Sequence, residues 1–147
     1  MPAVERRPVC VLVVDDDAAG AEALVRLLRH EGCETLQAPN LTDAMRVAVA
    51  RRLDVLVADL SLSDGSGCEL LRRVLTLQPR VRGVALTGHC GPHYERLCRE
   101  AGFERMLVKP VLFEQVLAAV RAPPAVAAGA PGGAAVPGSQ GRAPTAS

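Results

Sequence analysis

The sequence has few aromatic residues and only one lysine. Tryptophan is absent, and Tyr94, Phe103 and Phe113 are the only aromatic residues among 147. Because 49% of the residues are hydrophobic and many of these are Val, Leu and Ala, the predicted core is aliphatic. Lys109 is the single lysine beside sixteen arginines. In a sequence so biased toward Arg, this favours a need for a compact ammonium group at that position.

Other absences exclude whole classes of protein. No stretch approaches the roughly 18 apolar residues of a spanning helix, so we expect no membrane insertion. The 17 Lys and Arg residues balance 16 Asp and Glu residues and are interspersed with them, which does not favour nucleic acid as a partner. The P-loop pattern G-x-x-x-x-G-K-[ST] is missing, and Gly65 and Gly67 have no third Gly at the spacing of a dinucleotide site.

The five cysteines include no C-x-x-C pair. Cys10 and Cys33 lie in apolar runs, where Cys acts as a small hydrophobic residue, so the sequence fits a reducing cytoplasm. His89, Cys90 and His93 lie close together in the sequence, but without a fourth ligand they fall short of a structural zinc site.

Short β-branched runs alternate with amphipathic segments between Val9 and Arg121. This alternation predicts an α/β protein, a doubly wound (βα)5 chain of the flavodoxin-like type with a five-stranded parallel sheet covered by helices on both faces. The predicted strands are Val9 to Val14, Cys33 to Ala38, Val55 to Ala58, Val84 to Thr87 and Arg105 to Val108. The predicted helices are Ala18 to His30, Leu41 to Arg52, Cys68 to Leu77, Pro92 to Ala101 and Leu112 to Arg121.

The composition changes after Arg121. Residues 122–147 consist mostly of Ala, Pro and Gly, with Arg142 as the only charged side chain. Such a segment cannot bury enough apolar surface to offset its ordering entropy. We therefore predict an N-terminal arm (1–8), one folded domain (9–121) and a disordered tail (122–147) that contains no output domain.

Chemically active residue types stand where the predicted strands end. Asp15 and Asp16 follow the first strand, Asp59 the third, Thr87 closes the fourth, and Lys109 follows the fifth. In open parallel sheets ligands bind at the carboxyl ends of the strands, so we expect these side chains to converge.

Three converging carboxylates repel one another unless a hard divalent cation neutralises them. Mg²⁺ is the natural candidate, since it needs only one or two carboxylates besides water and phosphate oxygens. It would leave Asp59 ionised as a nucleophile and would screen an incoming phosphoryl group. Lys109 supplies a positive point charge for a phosphoryl oxygen.

Four segments together resemble the receiver domain of two-component response regulators: VLVVDDD, VLVADLSLSDGSG, ALTG and LVKP, in this order and spacing. The resemblance covers Val9 to Arg121. It implies that Asp59 is phosphorylated and that Asp15, Asp16, Asp59 and the backbone carbonyl of Ser61 bind Mg²⁺. It also implies that Thr87 and Lys109 bind the phosphoryl group, with Thr87 moving inward on activation, and that the peptide before Pro110 is cis.

Two positions depart from the family pattern. Ser63 stands where Pro is usual, which should loosen the loop after Asp59, while Gly65 stays available for a tight turn. Met106 occupies the switch position that is commonly Tyr or Phe, so the coupling between Thr87 and the protein surface is expected to be softer.

The resemblance implies a signalling switch and not an enzyme. Its expected partners are a sensor histidine kinase or phosphotransfer protein and an unnamed downstream protein, and a homodimer is compatible with the sequence. One alternative is a receiver-like docking module that works without phosphorylation, as Met106 and Ser63 would allow. Another is an Mg²⁺-dependent phosphohydrolase, which Ser61 disfavours because such enzymes commonly place a second Asp there.

Overall fold

The computed structural model describes residues 7–123. The predictions for residues 1–6 and 124–147 lie outside the described residues. The strands are β1 (Cys10–Val14), β2 (Glu34–Ala38), β3 (Val55–Asp59), β4 (Ser61–Leu62), β5 (Gly65–Ser66), β6 (Arg82–Thr87) and β7 (Phe103–Val108). The helices are α1 (Ala18–His30), α2 (Leu41–Ala50), α3 (Gly67–Leu77), α4 (Pro92–Ala101) and α5 (Phe113–Arg121).

Five of the strands form one parallel sheet in the order β2-β1-β3-β6-β7. The order reverses between β1 and β3, because the chain leaves β1 toward one edge of the sheet and returns through β3 toward the other. In doubly wound sheets this reversal opens a crevice at the carboxyl ends of the two central strands. The predicted flavodoxin-like α/β fold is confirmed.

Two apolar layers cover the sheet, one on each face. Alternate side chains of the central strands, such as Val11 and Val13 or Leu12 and Val14, belong to opposite layers. Helices α1 and α5 pack on the face of Val11 and Val13, while α2, α3 and α4 pack on the other face. Both faces of β1 and β3 are therefore buried, which explains their continuous hydrophobic sequence.

The helix ends follow the local signals in the sequence. The side chain of Asp17 accepts a hydrogen bond from the backbone of Gly20 and caps α1, and Asn40 caps α2 in the same way through Asp43. Gly102 ends α4 with a φ of 105°, a conformation that glycine adopts without steric cost.

The sequence pattern missed a small hairpin. Strands β4 and β5 pair antiparallel directly after Asp59, and the turn between them is made by residues 63 and 64. Gly65, which was expected to be available for a tight turn, directly follows the two turn residues and pairs with Leu62 across the turn, without a positive φ. Two-residue strands are too short to show a periodic hydrophobic pattern, which is why they escaped prediction.

All five cysteines are free thiols, and only Cys90 among them is exposed. Within residues 7–123, no helix has the length and apolar character needed to cross a membrane.

Candidate functional site at the carboxyl edge of the sheet

Three carboxylates meet where the order of the strands reverses. Asp15 and Asp16 follow β1 directly, and Asp59 is the last residue of β3. One carboxylate oxygen from each lies within 4.8 Å of the others. Asp15 and Asp59 are buried, with 6% and 9% of their surfaces exposed, whereas Asp16 faces solvent. The predicted convergence of these side chains is present.

Each buried carboxylate uses one oxygen to fix the backbone around it. Oδ1 of Asp15 accepts a hydrogen bond from the backbone of Asp17 at 2.9 Å, and Oδ1 of Asp59 accepts one from Ser61 at 2.9 Å. In each residue Oδ2 is the oxygen that contacts Lys109. The two carboxylates are therefore held in defined orientations before any ligand arrives.

Lys109 lies between the two buried carboxylates. Its Nζ is 2.7 Å from Oδ2 of Asp59 and 3.2 Å from Oδ2 of Asp15. Burial is the largest single effect on the pKa of Lys109 and lowers it, but the hydrogen bonds and the negative charges of Asp59 and Asp15 together outweigh burial and raise the pKa above its ordinary value. Lys109 therefore stays charged at neutral pH.

The backbone also fixes the start of the segment after β7. The peptide between Lys109 and Pro110 is cis, as the family resemblance implied. The backbone N–H of Lys109 donates to the carbonyl of Thr87 at 2.7 Å. This bond joins the ends of β6 and β7 beside the carboxylates.

Thr87 ends β6 and has only 1% of its surface exposed. Its Oγ1 accepts a hydrogen bond from the backbone N–H of His89 at 3.0 Å. Met106, the second predicted switch residue, is half-buried in β7 opposite Ala85 and packs against the α2–α3–α4 side of the core. Ser61 pairs with Ser66 in the hairpin.

Gly67 is a site residue that sequence reasoning missed. A Cβ atom at Gly67 would lie 2.4 Å from the backbone carbonyl oxygen of Asp59, a distance that real contacts do not reach. The backbone of Gly67 also donates to the carbonyl of Leu60 at 3.0 Å. Helix α3 therefore starts directly against the backbone of Asp59, and only glycine fits at this point.

Asp64 is a second residue whose role only the structure revealed. Its carboxylate accepts hydrogen bonds from the backbone of Leu41 at 2.8 Å, the backbone of Thr42 at 3.0 Å and the hydroxyl of Thr42 at 2.7 Å. These bonds, the one from the Thr42 hydroxyl most strongly, hold the pKa of Asp64 below its usual value. Asp64 thereby fastens the β4–β5 hairpin to the N-terminus of α2.

The three carboxylates and the one ammonium group give the site a net charge of about −2 when all are ionised. Hard oxygen donors with excess negative charge are what Mg²⁺ takes as ligands, so the residues present fit this ion. His89, Cys90 and His93 do not form a comparable metal-binding group within residues 7–123.

The fold and the site define a class: a doubly wound parallel sheet with an acidic group and a lysine at its switch point. Residues 11–121 match the family described as the response regulator receiver domain, and the chain belongs to this family. It is a receiver domain of two-component response regulators, whose general role in signalling is to accept a phosphoryl group.

Known proteins resemble the chain in sequence and in structure. A probable transcriptional regulatory protein of Mycobacterium tuberculosis, TcrX, is 32% identical over 122 residues, which cover 83% of this chain and 52% of TcrX. This chain thus spans about half the length of that relative.

Two solved structures share the fold. A CheY-like receiver domain protein from Methanospirillum hungatei superposes with a TM-score of 0.73 and 25% identity, over 77% of this chain and 90% of that one. A response regulator from Burkholderia pseudomallei, solved with a phosphorylated aspartic acid, a calcium ion and citrate, gives a TM-score of 0.72 and 32% identity, over 78% of this chain and 67% of that one.

Proposed function

We propose that Asp59 accepts a phosphoryl group from a phosphohistidine of a sensor histidine kinase or phosphotransfer protein, and that the phosphorylated chain signals by contact with another protein. The observation that carries this proposal is the position of Asp59. It is a buried carboxylate at the switch point of the sheet, grouped with Asp15 and Asp16 and 2.7 Å from Lys109.

In the proposed reaction a carboxylate oxygen of Asp59 attacks the phosphorus atom of the donor. The new O–P bond forms as the N–P bond of the phosphohistidine breaks, and the histidine keeps the electron pair of that bond. Lys109 is already beside Asp59, and its ammonium group replaces a contact with a carboxylate oxygen by a contact with a phosphoryl oxygen. Thr87, at the end of the neighbouring strand, donates a hydrogen bond from its hydroxyl to the same phosphoryl group.

Asp15, Asp16, Asp59 and the backbone carbonyl of Ser61 are the residues that would hold Mg²⁺. When bound, the ion would supply positive charge that offsets the carboxylates and the incoming phosphoryl oxygens. Support for this assignment comes from the like charge of the three carboxylates, since two of them are buried and Lys109 offsets only one.

An apolar groove beside the site supports docking of the phosphodonor. A cavity of about 330 Å³ lies between α1 and the segment after Lys109, and Asp15 and Lys109 are part of its lining. Leu27 in this lining has 46% of its surface exposed, and Phe113 is half-buried. A helix that carries a phosphohistidine could place apolar side chains here while the phosphoryl group reaches Asp59.

The remaining assignments follow from the same role. We place the chain in the cytoplasm, as a switch and not an enzyme, with a protein as its downstream target and no nucleic acid or membrane as a partner. The proposed folded unit is 9–121, to which the carbonyl of Ala122 adds one hydrogen bond from Arg82, and residues 122–147 are not needed for phosphorylation.

Intact-mass measurement tests the proposal. The chain is incubated with Mg²⁺ and acetyl phosphate, as wild type, as Asp59→Ala and as the control Asp64→Ala, which removes an exposed carboxylate from the next turn. We expect one added phosphoryl group on wild type and on the control, none on Asp59→Ala, and none when EDTA replaces Mg²⁺. Labelling of Asp59→Ala at the wild-type level would refute the assignment of Asp59 as the phosphoacceptor. If neither wild type nor any variant is labelled, the result would favour the docking module that works without phosphorylation.

A further inference from the structure

The connection between β6 and α4 links Thr87 to a stacked pair of side chains. The backbone N–H of His89 donates to Oγ1 of Thr87 at 3.0 Å. The imidazole of the same residue stacks on Tyr94 in the first turns of α4, with ring centroids 4.8 Å apart and ring planes 11° from parallel. Thr87, His89 and Tyr94 therefore form a continuous line of contacts from the buried site to the surface.

The beginning of α4 has no side-chain cap and no fully buried residue. Gly91 precedes the helix with a φ of 114°, and no side chain caps the N-terminus of the helix. The buried residues of α4, Cys98 and Ala101, both lie in its C-terminal half. The stack of His89 on Tyr94 joins the uncapped first turn of α4 to the loop that precedes it.

We infer that His89 and Tyr94 are positioning residues that hold the Thr87 hydroxyl in its resting orientation, and that their stack opens when Asp59 is phosphorylated. The inference rests on the proposed function, because it needs a phosphoryl group to attract Thr87. When Oγ1 of Thr87 moves toward that group, its bond to the His89 N–H either breaks or draws the loop with it. Movement of the loop takes the imidazole from its position against Tyr94, and loss of the bond to Thr87 frees the loop to make the same movement.

This arrangement gives the chain a route for its signal that does not require an aromatic side chain at residue 106. Met106 has no ring to take up two discrete positions, whereas Tyr94 has one and is already in contact with the loop that follows Thr87. The surface that changes on phosphorylation is accordingly the N-terminal half of α4.

The composition of the chain provides a direct probe of the stack. Tyr94 is the only tyrosine and tryptophan is absent, so emission excited in the tyrosine absorption band, where the two phenylalanines absorb little, arises from Tyr94 alone. Mg²⁺ with beryllofluoride serves as the phosphoryl mimic. We expect a saturable change in Tyr94 emission and stronger quenching by acrylamide as the ring loses its partner. Unchanged emission and quenching, in a sample whose amide NMR shifts near Asp59 show that the mimic is bound, would overturn the inference.

Substitutions test whether the stack opposes activation. If the resting state must lose the stack, its removal raises the fraction of molecules competent to bind the mimic and lowers the apparent Kd. We expect Tyr94→Ala and His89→Ala to bind beryllofluoride about fivefold more tightly, the factor that corresponds to ~1 kcal/mol of stacking energy. Affinity is read from amide NMR shifts, which do not depend on tyrosine emission.

Three further variants separate positioning from general destabilisation. Tyr94→Phe keeps the stacked ring and should bind as wild type does. His93→Ala is the matched control, because His93 contacts Tyr94 edge to face at 5.1 Å but lies outside the loop bonded to Thr87. The double variant His89→Ala/Tyr94→Ala should bind beryllofluoride no more tightly than either single variant, since each single substitution already removes the same contact. Equal affinity in all five variants and in wild type would refute the positioning role.

Acetyl phosphate labelling distinguishes failure of this inference from failure of the proposed function. If wild type and variants are all labelled and all bind the mimic with equal affinity, Asp59 is the phosphoacceptor and the His89–Tyr94 stack has no part in switching. If none is labelled and none binds the mimic, the proposed function and the inference fall together.

Discussion

The ammonium nitrogen of Lys109 lies 2.7 Å from Oδ2 of Asp59, although 50 residues of sequence separate the two. A second contact of the same nitrogen, 3.2 Å to Asp15, makes Lys109 the counter-charge of both buried carboxylates. Its role in the resting protein is therefore electrostatic stabilisation as much as preparation for a phosphoryl group.

We expect Lys109→Ala to lower the free energy of unfolding by about 1–2 kcal/mol in EDTA, a range reduced from that of buried pairs because the lysine side chain is partly exposed. Mg²⁺ should narrow the difference from wild type, because the cation would replace the missing charge. Urea unfolding with and without Mg²⁺ measures both effects. The control Arg73→Ala breaks an exposed ion pair with Glu69 and should lower the free energy of unfolding by only about 0.2–0.5 kcal/mol. An equal loss with and without Mg²⁺ would contradict the metal assignment.

Gly67→Ala should destabilise the domain by about 1–3 kcal/mol, because its Cβ would overlap the backbone carbonyl of Asp59 and force β3 and α3 apart. Urea unfolding gives the magnitude. Gly88→Ala is the matched control, since a Cβ at Gly88 meets no other atom within 4 Å. If both substitutions cost the same, the close approach at Gly67 is not the cause.

The hydrogen bonds to Asp64 predict a dependence of stability on acid. The pKa of Asp64 is depressed in the folded chain, so its contribution is present above the unfolded value of ~3.9 and is lost as pH falls through the folded pKa. Asp64→Ala should therefore be less stable than wild type at neutral pH, and the difference should vanish in strong acid. Thermal unfolding between neutral and acidic pH measures this.

Thr42→Val provides a specific check on the cause. It removes the hydroxyl that lowers the pKa of Asp64 most and keeps the side-chain shape. Carboxyl-carbon NMR should then show the pKa of Asp64 moving up toward its ordinary value. An unchanged titration would mean that the backbone bonds alone hold the carboxylate.

A chain that ends at residue 123 should fold and be phosphorylated like the full chain. The exact end point affects stability, because Arg82 donates hydrogen bonds to the carbonyls of Val120 and Ala122. A chain that ends at Arg121 loses one of these acceptors, at a cost of about 0.5–1.5 kcal/mol. Urea unfolding and acetyl phosphate labelling of the two lengths test this. Lower labelling of the 123-residue chain would place part of the function in the tail.

Local patterns in the sequence predicted most of the fold. Alternating β-branched and amphipathic segments gave all five strands of the parallel sheet and all five helices, with errors of at most two residues at either end. Parallel strands bring their carboxyl ends to one edge, so the sequence alone assigns the residues that close the strands to one site. Asp15, Asp59, Thr87 and Lys109 meet there for that reason.

Contacts that depend on the path of a loop were decided by tertiary structure alone. The hairpin after Asp59, the cap that Asp64 places on α2, the close approach of Gly67 and the stack of His89 on Tyr94 join residues whose local sequence carries no sign of the partner. Hydrophobic periodicity records which face of an element is buried, and it is silent about segments of two to four residues whose course is fixed by packing around them. The sequence therefore determined where the chemical groups would gather, while the packed loops decided how each group is held and which contacts must change when one of them reacts.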